Sequence, residues 1–276
     1  MASPRFIMSA SGAEEPRPSA RLDESDICET VEAALNAGAV TLAFQPVVGA
    51  RSGEIPFHEA LIRVVDDAGR VVPAGRFMRH VEAETLGRRI DCASLALALS
   101  ALAARPTLRL SVNMSARSMG YPRWTALLED ALERRPDIAG RLILEMTERS
   151  VMLLPELAQD FMSRGRERGI VFALDGFGAG RTDLRALRRL RFDMMKIDGS
   201  FTRGCDADAE NQGLLEILLG LAATLDMMTV AEKVETNGEA AFLRALGIDC
   251  LQGYHIAPPE MRPEWLPDPA RPPEGI

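Results

Sequence analysis

Phe172-Ala173-Leu174-Asp175-Gly176-Phe177-Gly178-Ala179-Gly180 is the stretch that decides the fold of this chain. A short apolar run ends in a carboxylate, and three glycines follow within five residues. This pattern is typical of a buried strand that carries an acid at its end. Glycine permits a sharp turn and lets the backbone approach a ligand closely. We therefore predict a buried strand whose end forms part of a pocket.

Apolar runs of this kind recur along the chain and alternate with helical patterns. Helices are predicted at 26–37, 76–86, 89–104, 124–134, 155–168, 183–191, 211–225 and 238–246, and strands at 40–48, 55–65, 108–115, 142–148, the opening stretch, 194–198, 228–235 and 250–254. About eight strands separated by helices predict an α/β fold, a (β/α)8 barrel of the TIM type. The turn at 51–54 predicts that the first two strands form a hairpin. An open doubly wound sheet is the alternative, although no G-x-G-x-x-G motif supports a dinucleotide-binding version of it.

Composition limits the classes of function. Among the 276 residues, 47% are hydrophobic and 26% are charged, which is typical of a globular protein. The net charge of −8 argues against a general nucleic-acid binder. No apolar run is long enough for a membrane span, and the N-terminus lacks a signal-peptide core. The four cysteines are far apart and form no CxxC motif, which predicts reduced thiols and a cytoplasmic location.

Three segments are expected. Residues 1–22 are rich in Ser, Pro, Ala and Arg and predict a disordered lead-in. Residues 23–262 predict one folded domain, and residues 263–276 a proline-rich tail.

Polar side chains stand at the ends of the predicted strands. They are Glu59, Asn113, Glu145, Asp175, Lys196, Asp198, Glu232, Glu235 and Gln252. In a parallel barrel the catalytic residues lie at the carboxyl ends of the strands. Carboxylates that converge in a dry pocket need compensation, and their oxygen atoms suit Mg²⁺ or Mn²⁺. The pattern therefore predicts metal-assisted hydrolysis of a phosphate ester, although any one of these acids taken singly is typical of a loop or a helix cap.

Eight motifs then resemble one family. FQPVV (44–48), HEALIR (58–63), LSVNMS (110–115), LILEMTE (142–148), ALDGFGAG (173–180), MMKID (194–198), TVAEKVET (229–236) and LQGY (251–254) resemble the EAL domain of bacterial cyclic di-GMP phosphodiesterases. The resemblance runs from about residue 40 to residue 259. It implies a modified TIM barrel with an antiparallel first strand. It also implies cleavage of cyclic di-GMP to linear pGpG with Mg²⁺ or Mn²⁺.

The resemblance also implies residue roles. Metal ligands are expected at Glu59, Asn113, Glu145, Asp175 and Glu232, catalytic groups at Lys196, Glu232 and Glu59, and substrate contacts at Gln45, Arg63, Asp198 and Gln252. Glu148 is similar to the glutamate that anchors the loop after Asp175, and Glu235 to a supporting group. Regulation is expected from a second copy of the chain or from a protein partner.

Two departures from the family pattern bear on activity. Gly176 replaces an aspartate that holds the second metal in the family, and Lys233 replaces a glycine between the two glutamates Glu232 and Glu235. The loop residues Ala179, Arg181, Thr182 and Asp183 also differ. A phosphodiesterase of weakened activity is expected. The alternatives are a receptor that binds cyclic di-GMP without cleaving it, and a protein-interaction domain.

Overall fold

A computed structural model describes residues 24–82, 84–178, 180 and 183–266 of the chain. The predicted lead-in at 1–22 and residues 267–276 of the predicted tail lie outside the described residues. So do Ala179, Arg181 and Thr182 of the loop that departs from the family pattern.

Strands and helices alternate along the described chain. The strands are β1 (Val40–Gly49), β2 (Phe57–Val65), β3 (Val71–Pro73), β4 (Leu110–Asn113), β5 (Leu142–Thr147), β6 (Val171–Phe177), β7 (Met194–Ile197), β8 (Met228–Ala231) and β9 (Cys250–Leu251). The helices are α1 (Glu24–Ala37), α2 (Ala74–Val81), α3 (Thr85–Ala104), α4 (Pro122–Arg134), α5 (Glu148–Leu153), α6 (Pro155–Glu167), α7 (Leu184–Leu190), α8 (Gly199–Thr202), α9 (Ala209–Thr224) and α10 (Asn237–Leu246). Short 3-10 turns occupy Ala116–Ser118 and Pro136–Arg141.

Eight of the described strands close into a barrel. Their order is β1-β9-β8-β7-β6-β5-β4-β2, and β2 pairs with β1 to complete the circle. β1 runs antiparallel to both of its neighbours, whereas the remaining pairs around the barrel are parallel. The predicted modified TIM barrel with an antiparallel first strand is confirmed, and the open doubly wound sheet is excluded.

The barrel interior is built in layers because side chains alternate along each strand. One apolar cluster, set apart from the main core, consists of Val47, Phe57, Ile143, Ala173, Met194, Val230 and Cys250. Two residues further along the parallel strands stand Glu59, Glu145, Asp175, Lys196, Glu232 and Gln252. In the antiparallel β1 the order is reversed, so that Gln45 precedes Val47 by two residues. An apolar layer thus supports a polar layer at the carboxyl ends of the strands.

The element bounds differ from the sequence prediction in several places. β3 was missed, and β2 begins at Phe57 rather than at residue 55. The predicted helix at 76–86 ends at Val81. Position 87, in the first turn of the next helix α3, must be glycine, because a Cβ atom would lie 2.8 Å from the carbonyl oxygens of Val81 and Glu82. The helix that begins at Glu148 was also missed.

The last predicted parallel strands are shorter than expected. The predicted strand at 228–235 ends at Ala231, because Lys233 adopts a left-handed backbone with φ 54°. The predicted strand at 250–254 ends at Leu251. Glu232 and Gln252 therefore lie on the connections just beyond their strands.

The end of the predicted domain and the described part of the predicted tail both pack against the barrel. Glu260, at the end of the domain, exchanges two backbone hydrogen bonds with Phe44. In the tail, the ring of Trp265 lies 4.9 Å from the Phe44 ring and 5.1 Å from the His58 ring. Among the described residues, no helix combines the length and apolar character that a bilayer crossing requires.

Asp91 joins α3 to the turn that follows β4. Its Oδ2 accepts hydrogen bonds from the Ser118 hydroxyl at 2.6 Å and from the Ser115 backbone N–H at 3.0 Å. Burial raises the pKa of Asp91 to about 6, against the two hydrogen bonds and with a small contribution from the negative charge of Glu82. The Asp91 side chain thus holds the C-terminal end of β4 in place. Its ionisation at this buried position is electrostatically unfavourable.

We predict that Asp91→Asn changes how stability depends on pH. The folded-state pKa lies above the ordinary value of 3.8, so the folded chain retains a proton that the unfolded chain releases first. The stabilising contribution of this carboxyl group is complete below pH ~4 and is lost as pH rises through about 6. Over that interval the free energy of unfolding of wild type should fall by about 3 kcal/mol, and Asp91→Asn should not show this fall.

Urea denaturation at several pH values measures this difference. Asp130→Asn is the control, because the Asp130 side chain is 65% exposed. Parallel pH profiles for Asp91→Asn and wild type would contradict the role of Asp91.

Candidate functional site

A cavity of about 660 Å³ lies at the carboxyl ends of the barrel strands. Most predicted site residues line it: Gln45, Glu59, Asn113, Asp175, Asp198, Glu232, Glu235 and Gln252. Glu145 and Lys196 are almost fully buried, 1% exposed each, and they contact the lining carboxylates. The barrel thus brings together side chains that lie far apart in the sequence.

Lys196 holds the centre of this polar layer. Among the described residues, four carboxylates surround its ammonium nitrogen: Glu145 at 2.7 Å, Glu232 at 2.9 Å, Glu59 at 3.0 Å and Asp175 at 3.7 Å. They come from β2, β5 and β6 and from the connection after β8, while Lys196 comes from β7. The cluster therefore joins five segments of the barrel through one positive charge.

Amide side chains complete the hydrogen bonding of Glu59. The Asn113 amide donates to Glu59 Oε1 at 2.7 Å, and the Gln252 amide donates to Glu59 Oε2 at 2.6 Å. The same Gln252 nitrogen lies 3.1 Å from Gln45 Oε1, and the Gln45 amide donates to the Ala257 carbonyl at 3.1 Å. Glu59 is thus the most fully hydrogen-bonded acid of the cluster.

The pKa shifts show how the cluster distributes its charge. Burial raises the pKa of Glu145 well above its usual value, and the charges of Glu59 and Asp175 act in the same direction. Burial also raises the pKa of Glu232 to about 8 against the attraction of Lys196. Burial also raises the pKa of Glu59, but the charge of Lys196 and the hydrogen bonds lower it further, so that this pKa lies below the usual value. Burial lowers the pKa of Lys196, but the surrounding carboxylates raise it well above normal.

These directions have one physical cause. Four carboxylates share one ammonium group in a site of low dielectric, and the excess negative charge is unfavourable. Burial therefore favours the protonated forms of Glu145 and Glu232, whereas the Lys196 charge and the hydrogen bonds favour the ionised form of Glu59. A cation that entered the cluster would offset the same excess negative charge.

The donor set fits a hard divalent cation. Within the described residues, buried Glu145 Oε1 and Gln252 Oε1 have no hydrogen-bond partner, and the other side chains of the layer except Lys196 offer carboxylate and amide oxygens. Within the described part of the chain, no group of three or more His, Cys, Asp or Glu side chains is already arranged around a metal position. The carboxylates instead gather on the Lys196 ammonium group. Metal binding would thus require them to turn part of their oxygen atoms away from Lys196.

Gly176 is the penultimate residue of β6, has φ 64° and lines the cavity. Among the described residues other than its chain neighbours, none has an atom within 4 Å of a Cβ atom added at this position. In the loop after β6, the Gly178 N–H donates to Glu148 Oε2 at 3.2 Å, and a side chain at Gly180 would lie 3.1 Å from the same carboxylate. The Glu148 carboxylate therefore contacts the loop that it is predicted to anchor.

Three predicted site residues lie outside the central cluster. Arg63 is not among the residues that line the cavity, because its guanidinium donates to the Leu61 and Ile62 carbonyls at 3.3 and 3.1 Å. The predicted Arg63 contact with substrate would need this side chain to turn. Asp198 caps α8 through the Ser200 N–H at 2.8 Å, and Glu235 pairs with Arg203 at 2.8 Å on the cavity wall.

The sequence prediction missed several residues that line the cavity, notably Asp91, Arg203 and Tyr254. For Asp91 a signal was present, since an acid interrupts the apolar pattern of α3 between Ile90 and Cys92. Arg203 and Tyr254 carry no comparable signal, because each follows the end of a short element.

One known protein family matches most of this chain. A family model described as EAL domain matches residues 29–259. Among curated proteins, the chain is similar to the cyclic di-GMP phosphodiesterase NbdA of Pseudomonas aeruginosa, with 30% identity over 236 residues, 84% of this chain and 30% of NbdA. The chain spans between 27% and 32% of the length of four such relatives.

Solved structures share the fold. The PaMucR phosphodiesterase in complex with c-di-GMP superposes with a TM-score of 0.79 and 26% identity, covering 87% of this chain and 99% of that chain. BlrP1 of Klebsiella pneumoniae, in a complex with calcium and cyclic di-GMP, superposes with a TM-score of 0.69 and 27% identity, covering 80% and 56%.

We predict that Lys196→Met strongly destabilises the protein. Removing one partner of a buried ion pair leaves uncompensated charge, so the free energy of unfolding at neutral pH should fall by about 3–5 kcal/mol. Urea denaturation in the presence of a chelator measures the loss. Arg134→Met is the matched control, because the exposed Arg134–Asp130 pair at 3.5 Å should contribute less than about 1 kcal/mol. Wild-type stability of Lys196→Met would contradict the central role of this ammonium group.

Proposed function

The chain belongs to the EAL domain family, and from this premise we propose that it is a cyclic di-GMP phosphodiesterase that hydrolyses one phosphodiester bond to give linear pGpG. The observation that supports the proposal is the oxygen-rich cluster around Lys196 at the floor of the barrel cavity. The cavity volume of about 660 Å³ lies within the range usual for small-molecule sites, roughly 300–1,000 Å³. NbdA and PaMucR, the similar proteins, carry the same activity in their names.

The proposed cofactor is Mg²⁺ or Mn²⁺. Glu59, Asn113, Glu145 and Asp175 would hold the first cation, and Glu232 would contribute to a second position. Cations bound there would supply a positive charge beside the phosphate and lower the pKa of water. The calcium complex of BlrP1 supports a divalent cation in this fold.

The residues of the chain itself hold and move protons. The Lys196 ammonium group orients the carboxylates, because it donates hydrogen bonds to Glu59 and Glu145 at 3.0 and 2.7 Å. Glu232, whose pKa is raised to about 8, lies in the range in which a general acid or base transfers protons efficiently near neutral pH. Gln45 and Gln252, which also line the cavity, would contact the ligand.

Gly176 favours a weakened enzyme. Its position offers no side-chain oxygen for the second cation, and a two-cation mechanism needs both sites to stabilise the attacking and leaving oxygens. The same observation supports the second candidate function, a receptor that binds cyclic di-GMP without cleavage. Binding needs the cavity and the polar groups that line it, and both are present.

A homodimer is proposed as the regulatory assembly. Leu153, Leu154 and Leu157 at the junction of α5 and α6 are exposed by 64%, 43% and 38%, and Leu184 at the start of α7 by 56%. These apolar side chains would be covered by a second copy of the chain or by another protein. Glu148 opens α5 and contacts the loop after β6, so this surface is connected to the cavity. The cytoplasmic location stays a prediction.

The direct test is a product analysis. Purified protein incubated with cyclic di-GMP and Mg²⁺ or Mn²⁺ should form linear pGpG, which chromatography separates from the substrate. The same reaction with EDTA should give no product. Calorimetric binding without any product over hours would instead establish the receptor.

We predict that Gly176→Asp increases turnover. The substitution places a carboxylate in open space on the cavity wall, and aspartate tolerates the left-handed backbone better than most residues. The rate of pGpG formation should rise on the order of 10- to 100-fold, which corresponds to a gain of about 1.4–3 kcal/mol in transition-state stabilisation.

Gly176→Ala is the control, because it adds a Cβ atom to the left-handed backbone without adding an oxygen ligand. Its turnover should stay at or below that of wild type. An unchanged rate in Gly176→Asp would contradict our explanation of weakened activity.

A further inference from the structure

Lys233 stands on the cavity wall in a backbone conformation that lysine rarely adopts. It follows Glu232 directly, its φ is 54°, and it lines the cavity together with Glu232 and Glu235. A residue with a Cβ atom is disfavoured in this region, where glycine fits without strain. Strained positions of this kind cluster at ligand sites.

The side chain of Lys233 has a defined course. Its aliphatic stem lies against Gly199 at the start of α8, so that a side chain at Gly199 would overlap the Lys233 methylenes. The ammonium group then reaches to 3.4 Å from Asp198 Oδ2, and 54% of the side chain stays exposed. The stem is therefore packed while the charge remains accessible from the cavity.

Other cations of the site are more firmly engaged. Lys196 is buried among carboxylates at 2.7–3.7 Å, and Arg203 pairs with Glu235 at 2.8 Å. Asp198, the partner of Lys233, already accepts a hydrogen bond from the Ser200 N–H at 2.8 Å. Among the described residues that line the cavity, Lys233 thus offers its charge most readily to a ligand.

The ligand chemistry fits this position. A cyclic dinucleotide carries two phosphodiester groups and two negative charges, and the polar layer beneath the cavity contributes further acids. Gly176, which also lines the cavity, adds neither a carboxylate nor the cation that such a carboxylate would hold. A fixed ammonium group on the wall compensates phosphate charge through charge-assisted hydrogen bonds.

We propose that Lys233 is a phosphate-binding residue of this chain, and that its ammonium group allows a cyclic dinucleotide to bind without a divalent cation at the second position. This inference rests on the proposed function, since it assigns a residue to the same ligand. It goes beyond that function, because it predicts that part of the affinity for the cyclic dinucleotide does not depend on a bound metal ion.

Calorimetry with cyclic di-GMP in EDTA tests the inference. Wild type should bind measurably in EDTA, and Lys233→Met should bind about 10-fold more weakly, the size expected for one charge-assisted hydrogen bond at a half-exposed position. Methionine keeps an unbranched stem over Gly199 and removes the charge. Lys233→Arg should retain affinity within about 3-fold, because the charge is preserved.

Arg191→Met is the matched control. Arg191 also has a left-handed backbone, with φ 53°, is exposed and does not line the cavity, so its substitution removes the same charge in the same backbone conformation. Its affinity should equal that of wild type. A loss of affinity in Arg191→Met as large as in Lys233→Met would overturn a local role.

The outcomes separate the two proposals. Binding by wild type only when Mg²⁺ or Mn²⁺ is present, or equal affinities of wild type and Lys233→Met in EDTA, would overturn the role of Lys233 and leave the proposed function standing. Absence of wild-type binding both in EDTA and with either metal would overturn the binding function and this inference together.

Discussion

The ammonium group of Lys196 is the constraint on which the site depends. It lies 1% exposed between carboxylates that come from opposite sides of the barrel, at 2.7–3.0 Å from three of them. Without this charge, the acids would meet in a dry interior with no fixed counter-charge, and the cost of burying each would be several kcal/mol, at roughly the scale known for unpaired buried ions. Because one positive charge cannot balance four negative ones, the pKa values of Glu145 and Glu232 are raised above their usual range. The same imbalance makes the site receptive to divalent metal.

The geometry of the site follows from the barrel. Side chains alternate along each strand, so an interior apolar residue such as Ile143 or Met194 fixes the position of the polar residue two places further on. The apolar layer closes the barrel below, and the polar layer opens to the cavity above. The antiparallel first strand obeys the same rule in the opposite chain direction, which is why Gln45 precedes Val47 and still reaches Gln252 at 3.1 Å. Site and core are therefore two layers of one packing arrangement.

Two residues that line the cavity differ in charge from the acids of the polar layer. Gly176 leaves open space where a carboxylate would bring a cation, and Lys233 supplies a positive charge. Both residues adopt left-handed backbone conformations, with φ values of 64° and 54°, so both positions are set by local turns at the carboxyl ends of strands. The glycine is suited to its turn, whereas the lysine is strained in its own.

The sequence alone predicted the strand and helix alternation, the barrel class with its antiparallel first strand and the acidic and amide residues of the polar layer, because period-two patterns and short motifs are local in the chain. It did not show that Arg63 folds back onto the Leu61 and Ile62 carbonyls. The assembly of the cluster joins residues as distant as Glu59 and Lys196, 137 positions apart. Only closure of the barrel brings such residues together, and only the resulting burial shifts their pKa values. The course of Lys233 over Gly199 likewise depends on packing between segments that no local pattern encodes.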